Sequence, residues 1–214
     1  MLKADLHCHT NFSKCSSMSP EKLVNMAIAR GIDVLGVVDH DDIRGAEAVR
    51  KAAGNRLLVI PGEEITTDRG HLIVFLSDGK FSRNAAEICE RAKKMGAFTV
   101  APHPYDFLRR TGLGKALNGL KVDAVEVFNS RAMLSMMNRR AEAYAIKRGL
   151  PMVVGSDAHH PQEVGLALNL FECEKSVGSV LESIRKGKVR FVRRKGPWTS
   201  HFKTMTGLAG KKFS

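Results

Sequence analysis

An α/β fold in which βα units build a parallel sheet or barrel is the architecture this sequence predicts. Short apolar, β-branched runs alternate with stretches of helical periodicity along the whole chain. The ends of those runs carry histidines, carboxylates and prolines. The 214 residues are 43% hydrophobic, enough to fill one sizeable core.

The first unit sets the pattern. A strand over 4–9 leads through a polar loop to Ser19-Pro20, a helix cap followed by proline at the first helical position. Leu23, Met26, Ala27 and Arg30 then recur at helical spacing, and Gly31 is the stop. A strand over 34–38 ends in Asp39-His40-Asp41, a helix spans 46–53, and a strand over 57–60 runs into Pro61-Gly62-Glu63-Glu64. A strand over 71–76, a helix over 84–95 and a strand over 98–101 closed by Pro102-His103-Pro104 follow. The next strand, 124–128, ends at Asn129-Ser130-Arg131, and a helix over 133–148 leads to a strand over 152–154 with Gly155-Ser156-Asp157-Ala158-His159 behind it. A helix over 177–186 and a strand over 189–192 complete the series. With no repeat or linker in view, the expectation is one barrel domain over 1–195 and a basic tail over 196–214.

Charge and composition narrow the partners. The net charge of +12 favours anionic ones such as nucleotides, nucleic acid or phosphorylated metabolites. After Glu182 there is no acidic residue, and this end reads first as a solvated basic segment, with phosphate binding as the alternative. No run of about 18 apolar residues is present to cross a bilayer, and the opening Met1-Leu2-Lys3-Ala4-Asp5 enters a strand rather than a signal peptide. The expectation is a soluble cytoplasmic protein without a membrane partner, its cysteines Cys8, Cys15, Cys89 and Cys173 reduced. The oligomeric state is not legible.

Six histidines (His7, His9, His40, His71, His103, His159) lie in or just after expected strands. In barrels and open parallel sheets the carboxyl ends of strands converge on one face, so these residues can meet there. His7 and His9, two apart on a strand, leave the same face while Cys8 points away. Imidazoles joined by Glu64 and Asp157 suit zinc, iron or manganese, and the set is large enough for more than one ion.

These residues also carry a family resemblance, which covers most of the chain up to the basic end. Asp5-Leu6-His7-Cys8-His9-Thr10 resembles the first motif of the PHP (polymerase and histidinol phosphatase) domain, and Asp39-His40-Asp41 its second. Glu64 with His71 resembles the third, Gly155-Ser156-Asp157-Ala158-His159 the last, and His103-Pro104 another family element. The resemblance implies a distorted (β/α)7 TIM-like barrel with two or three divalent metal ions at the carboxyl face. By the resemblance, His7, His9, Glu64 and Asp157 hold the first ion, and Glu64 bridges to a second held by His71 and His103. His40 and His159 hold the third. Where the family has a histidine or aspartate after its first motif this chain has Cys15, either a zinc-selecting thiolate or a bystander that weakens the third site. The weakened site is favoured.

Such a centre implies a phosphoesterase: paired divalent ions activate water and offset charge on a phosphoryl group, with Glu64 as the bridge that positions the hydroxide. Asp39 and Asp41 are candidate orienters of histidine ligands, with loop capping as the alternative. Arg131 leads the candidates for binding substrate phosphate, with Arg44 and Asn129 beside it on the same face. Arg69 reads as solvated. Ser13, Ser16 and Ser17 lack the glycine-flanked elbow of a serine hydrolase, and no phosphate-binding glycine loop is present. The expected substrate is a nucleotide or short oligonucleotide. The alternatives are a histidinol-phosphate-type phosphatase and a noncatalytic RNA-binding barrel resembling a ribonuclease P protein subunit.

Overall fold

The structure, a computed structural model, describes residues 1–196. The expected tail falls outside the described residues apart from Gly196. Along the described residues run β1 (Leu2–Cys8), α1 (Pro20–Ala29), β2 (Val34–His40), α2 (Arg44–Ala53), β3 (Leu58–Thr66), β4 (His71–Phe75) and α3 (Ala85–Met95). After them come β5 (Phe98–Ala101), β6 (Ala124–Asn129), α4 (Ser135–Arg148), β7 (Met152–Gly155), β8 (Ala167–Phe171), α5 (Val177–Arg185) and β9 (Arg190–Arg193). Local chemistry accounts for several boundaries. Ser19 caps α1 by accepting from Lys22 N with Pro20 at the first position, Asn84 caps α3, and Gly96 ends α3 at a φ of 74° that only glycine adopts freely.

All nine strands form one sheet in the order β7-β6-β5-β4-β3-β2-β1-β8-β9. Strands β1 to β3 are mutually parallel, as are β5 to β7, but β4 is antiparallel to both β3 and β5. The reversal of β4 corrects the expectation of a wholly parallel arrangement; β3 and β4 are joined without a helix. The barrel is nearly closed between β1 and β7. His9 N donates to Ala158 O at 2.9 Å and Ala158 N to His7 O at 3.2 Å, just beyond the end of β7.

Strand β8 was not anticipated from the sequence. It lies antiparallel to β1, and its buried Asn169 accepts from Val154 N at 3.0 Å and donates to Val154 O at 2.7 Å. An amide side chain thus satisfies the free edge of β7 where a further strand would otherwise be required. Asparagine is depleted in strands, which hid the element from a reading based on propensity.

Helices α1 and α2 pack Leu23, Val24, Ala27 and Val49 against Leu35, Val37 and Val59, while α3 and α4 cover Leu72, Val74, Val125 and Val154. The opposite faces of the strands form a separate cluster with Val180, Leu181 and Ile184 of α5. Strand periodicity carries that inner face toward one end. On β2, Val34 and Val38 belong to the inner cluster and His40 follows in phase; on β3, Ile60 is followed in phase by Glu64. On β1, Ala4 and Leu6 are in the inner cluster while Cys8 packs outside, so the phase changes at the register shift between Asp5 and Cys8. That irregularity lets His7 and His9 share the inner face, a re-aiming of side chains characteristic of bulges beside functional sites.

Candidate metal centre

Beyond the apolar inner cluster, strands β1 to β7 and the residues just after them deliver polar side chains to the same end of the barrel. His71 arrives differently from the others: as the first residue of an antiparallel strand it comes from the amino end of β4, in phase with Ile73 and Phe75 of the inner cluster. The general expectation of ligands at carboxyl ends therefore fails for this one residue, while the residue still joins the group.

Four atoms converge most closely. His7 Nε2 lies 3.2 Å from His9 Nε2, 3.4 Å from Glu64 Oε2 and 3.6 Å from Asp157 Oδ1. His9 Nε2 lies 3.3 Å from the same Glu64 oxygen and 3.4 Å from the same Asp157 oxygen. Five of the six distances among these four atoms thus lie between 3.2 and 3.6 Å, short enough for neighbouring side chains to share a cation with bonds of about 2.0–2.2 Å to nitrogen and oxygen. The other oxygen of Glu64, Oε1, lies 2.9 Å from His71 Nδ1 and 2.9 Å from His103 Nε2. One carboxylate thus presents an oxygen to each of two ligand sets. One potential ligand atom each from His9, His40 and His159 forms a further group within 4.8 Å, and the same holds for His40, Glu64 and His71. His40 Nδ1 and His103 Nδ1 are buried without a hydrogen-bond partner.

The surrounding residues set which nitrogen each ring offers. Glu126 Oε1 accepts from His7 Nδ1 at 2.8 Å, and the carbonyl of Asp157 accepts from His159 Nδ1 at 2.8 Å. Ser13 Oγ, which donates to Asp39 Oδ1 at 2.6 Å, lies 3.4 Å from His9 Nδ1. In all three rings the Nδ1–H is occupied and the Nε2 lone pair is turned toward the cluster. Glu126 also accepts from His103 N and from Asn129 Nδ2, and Gly155 makes room for it: a Cβ there would collide with Glu126 Oε1 and sit 2.6 Å from His7 Cβ. Asp157, at a φ of 56°, is held through Oδ2 by Arg109 Nη1 at 2.6 Å and Asn129 Nδ2 at 3.3 Å.

Burial raises the cost of every charge here, and neighbours decide the outcome. Burial opposes protonation of His7, but Glu126, Asp157 and Glu64 push its pKa well above the usual imidazole value, and His9 is also raised by Asp157 and Glu64. His40 goes the other way, lowered to about 4 mainly by burial, and His159 is held well below the usual value by burial and the nearby His9. Burial would raise the carboxyls of Glu64 and Asp157, yet His71 and His40 for the first, and Arg109 and His7 for the second, keep both well below the usual range.

The structure reassigns several candidates. Asp39 accepts from Ser13 Oγ, which lies beside His9 Nδ1, and from Thr10 N at 2.7 Å, and makes no direct contact with a ring nitrogen among the described hydrogen bonds. Asp41 caps a loop instead, accepting from Thr66 N at 2.9 Å. Asn129 is fully buried against Glu126 and Asp157, so it supports ligands rather than facing substrate. Arg131 is also buried and pairs with Glu163 at 3.4 Å. Arg44 has a side chain 76% exposed and engages Asp42 through two nitrogens, which leaves it on the surface and away from the cluster. Cys15 is half-buried and joins none of the ligand groups found among the described residues. Burial, then Asp157 and Glu64, raises its thiol pKa to about 12.

Glu126, Arg109 and Glu163 were not singled out from the sequence. Glu126 lies mid-strand in an apolar run, a position where a charge is buried only when paired, and that was its one available signal. Arg109 sits in a loop with no periodic pattern.

A histidine and carboxylate metal centre at the mouth of a nearly closed barrel defines the class, and comparison with known proteins supplies the family. The PHP domain model matches residues 5–146 and the PHP-associated model residues 136–189. An uncharacterized protein of Methanocaldococcus jannaschii is 35% identical over 175 residues, covering 78% of this chain and 69% of its own length. This chain belongs to the PHP domain family. A two-domain protein from Bacteroides vulgatus, described as containing a predicted PHP-like metal-dependent phosphoesterase, superposes with a TM-score of 0.77 at 22% identity, over 96% of this chain and 69% of that one. A 5'-3' exoribonuclease of Haemophilus influenzae is 36% identical over 125 residues, which cover 56% of this chain and 44% of the exoribonuclease.

Proposed function

We propose that this protein is a metal-dependent phosphoesterase whose substrate is a nucleotide or short oligonucleotide. The convergence of Glu64 Oε2 and Asp157 Oδ1 on His7 Nε2 and His9 Nε2, at 3.2–3.6 Å, carries the proposal. Four donor atoms packed this tightly, two of them ionised carboxylate oxygens, suit a divalent cation in both charge and size. The further groups formed by His9, His40 and His159 and by His40, Glu64 and His71 are in keeping with more than one ion.

When bound, divalent ions at this centre supply Lewis acidity to a phosphoryl oxygen and a lowered pKa to the attacking water. The chain's own residues do the positioning. Glu64, with one oxygen toward His7 and His9 and the other toward His71 and His103, ties two ligand sets to a single rigid carboxylate. Glu126 and Ser13 hold the tautomers of His7 and His9, and Asn129 steadies Asp157. The choice of a nucleic-acid-like substrate draws support from the net charge of +12 and from the exoribonuclease relative. Zinc, manganese and iron all match the donor set.

Metal analysis of the purified protein, coupled to phosphate release from nucleotides, short oligonucleotides and sugar or amino-alcohol phosphates, tests the proposal. Bound metal with chelator-sensitive turnover on the nucleotide substrates is the expected result. Absence of both metal and turnover, even with added zinc or manganese, overturns it and favours RNA binding without hydrolysis.

A further inference from the structure

Asp157 presents its two oxygens to different surroundings. Oδ1 faces His7 Nε2 and His9 Nε2 at 3.6 and 3.4 Å. Oδ2 accepts from Arg109 Nη1 at 2.6 Å, with Asn129 Nδ2 at 3.3 Å. Arg109 is itself held from behind. Its Nε donates to Asp106 Oδ2 at 2.7 Å and its backbone N to Asp106 Oδ1 at 3.1 Å, and Asp106 is 1% exposed. A guanidinium fixed at Nε cannot rotate away from the carboxylate it meets through Nη1, because its donors are set in one plane.

We infer that Arg109 is a positioning residue that restricts Asp157 to a single coordinating oxygen. The inference rests on the metal centre proposed above. A carboxylate can give a cation one oxygen or two, and what binds the second oxygen decides between them. Here the second oxygen is taken by an anchored cation, so Asp157 offers the cluster one donor, Oδ1. Without Arg109, only the longer contact from Asn129 restrains Oδ2, and the carboxylate is free to turn both oxygens inward.

The test is spectroscopic. Wild type, Arg109→Met and Arg109→Lys are each loaded with one equivalent of Co2+, and visible absorption is recorded; His9→Ala identifies the bands that belong to this corner. X-ray absorption of the zinc-loaded proteins counts the donors. The expected result for Arg109→Met is a severalfold loss of band intensity relative to wild type and a gain of one oxygen in the metal's coordination shell. Arg109→Lys, which keeps the charge but cannot reach both aspartates as one rigid group, falls between the two. Should Arg109→Met fail to fold, Asp106→Asn loosens the same anchor and is read in its place, with a smaller shift in the same direction. Spectra and donor counts unchanged from wild type in a folded variant overturn the inference while leaving the metal centre intact. Failure of wild type to bind Co2+ or zinc overturns the metal centre itself.

Discussion

His7 and His9 at one side of the cluster, and His40 and His159 at the other, are the same side chain, buried in three cases and half-buried at His40, yet their proton affinities move in opposite directions. The first pair faces Glu64 and Asp157, with Glu126 behind His7, and these carboxylates outweigh desolvation. The second pair also meets carboxylates, with His40 Nδ1 3.4 Å from Glu64 Oε2 and His159 Nδ1 3.4 Å from Asp157 Oδ1, but His9 and His71 beside His40, and His9 and Arg131 beside His159, oppose them and burial prevails. What differs is the balance of carboxylates against neighbouring positive groups. A cation at the His7 side meets two carboxylates with a third behind His7; one at the His40 side meets imidazoles whose protonation burial opposes and shares Glu64 with the other side.

The comparison is easiest to break at its strongest point. His9→Ala and Glu64→Ala each remove a member of the four-atom set, and Glu64 also joins the second set. Bound metal and turnover are both expected to fall to background, while circular dichroism shows an intact barrel. Retained turnover in the metal-depleted double variant would refute the mechanism.

Glu126→Gln is the next largest change. It leaves all candidate ligands in place but replaces the carboxylate behind His7, and metal affinity measured by chelator competition should fall by about 10- to 100-fold. A loss of the same size from His40→Ala would mean that the two sides are equivalent after all, contrary to their charge.

Arg131→Leu separates structure from substrate binding. Loss of one partner of a buried ion pair typically costs about 3–5 kcal/mol. Chemical denaturation should therefore show a destabilisation of that order. A rise in KM with unchanged stability would restore Arg131 as a phosphate-binding group.

The two sides should also have opposite pH signatures in the metal-free protein. The pKa of His40 is lowered in the fold to about 4, so the unfolded chain binds more protons between about pH 4 and 6.5, and stability falls as pH drops through that window. His9 is raised in the fold, so its contribution is present below about pH 6.5 and disappears as pH rises through its folded value. Denaturation across pH should accordingly show a shallower acid loss for His40→Gln and a selective loss of low-pH stability for His9→Gln. The smallest effect concerns Cys15: with its thiol pKa raised to about 12, alkylation at pH 8 should be far slower in the folded metal-free protein than in the urea-unfolded chain.

Much of this centre could be read from residue types and local spacing. The separation of His7 and His9, the placement of His40 and Glu64 after apolar runs, and the Asp157-Ala158-His159 motif all follow from strand periodicity and the chemistry of ligands. The caps at Ser19 and Asn84 and the stop at Gly96 are equally local, because a cap is a contact between near neighbours in the chain. Tertiary structure alone decided the direction of β4, the sheet position of β8 with its Asn169, and the identity of the groups behind the ligands. Arg109 lies 48 residues from Asp157, and Glu126 lies 119 from His7. No periodicity links such pairs; only closure of the barrel brings each charge to its partner, and burial there makes that partner necessary.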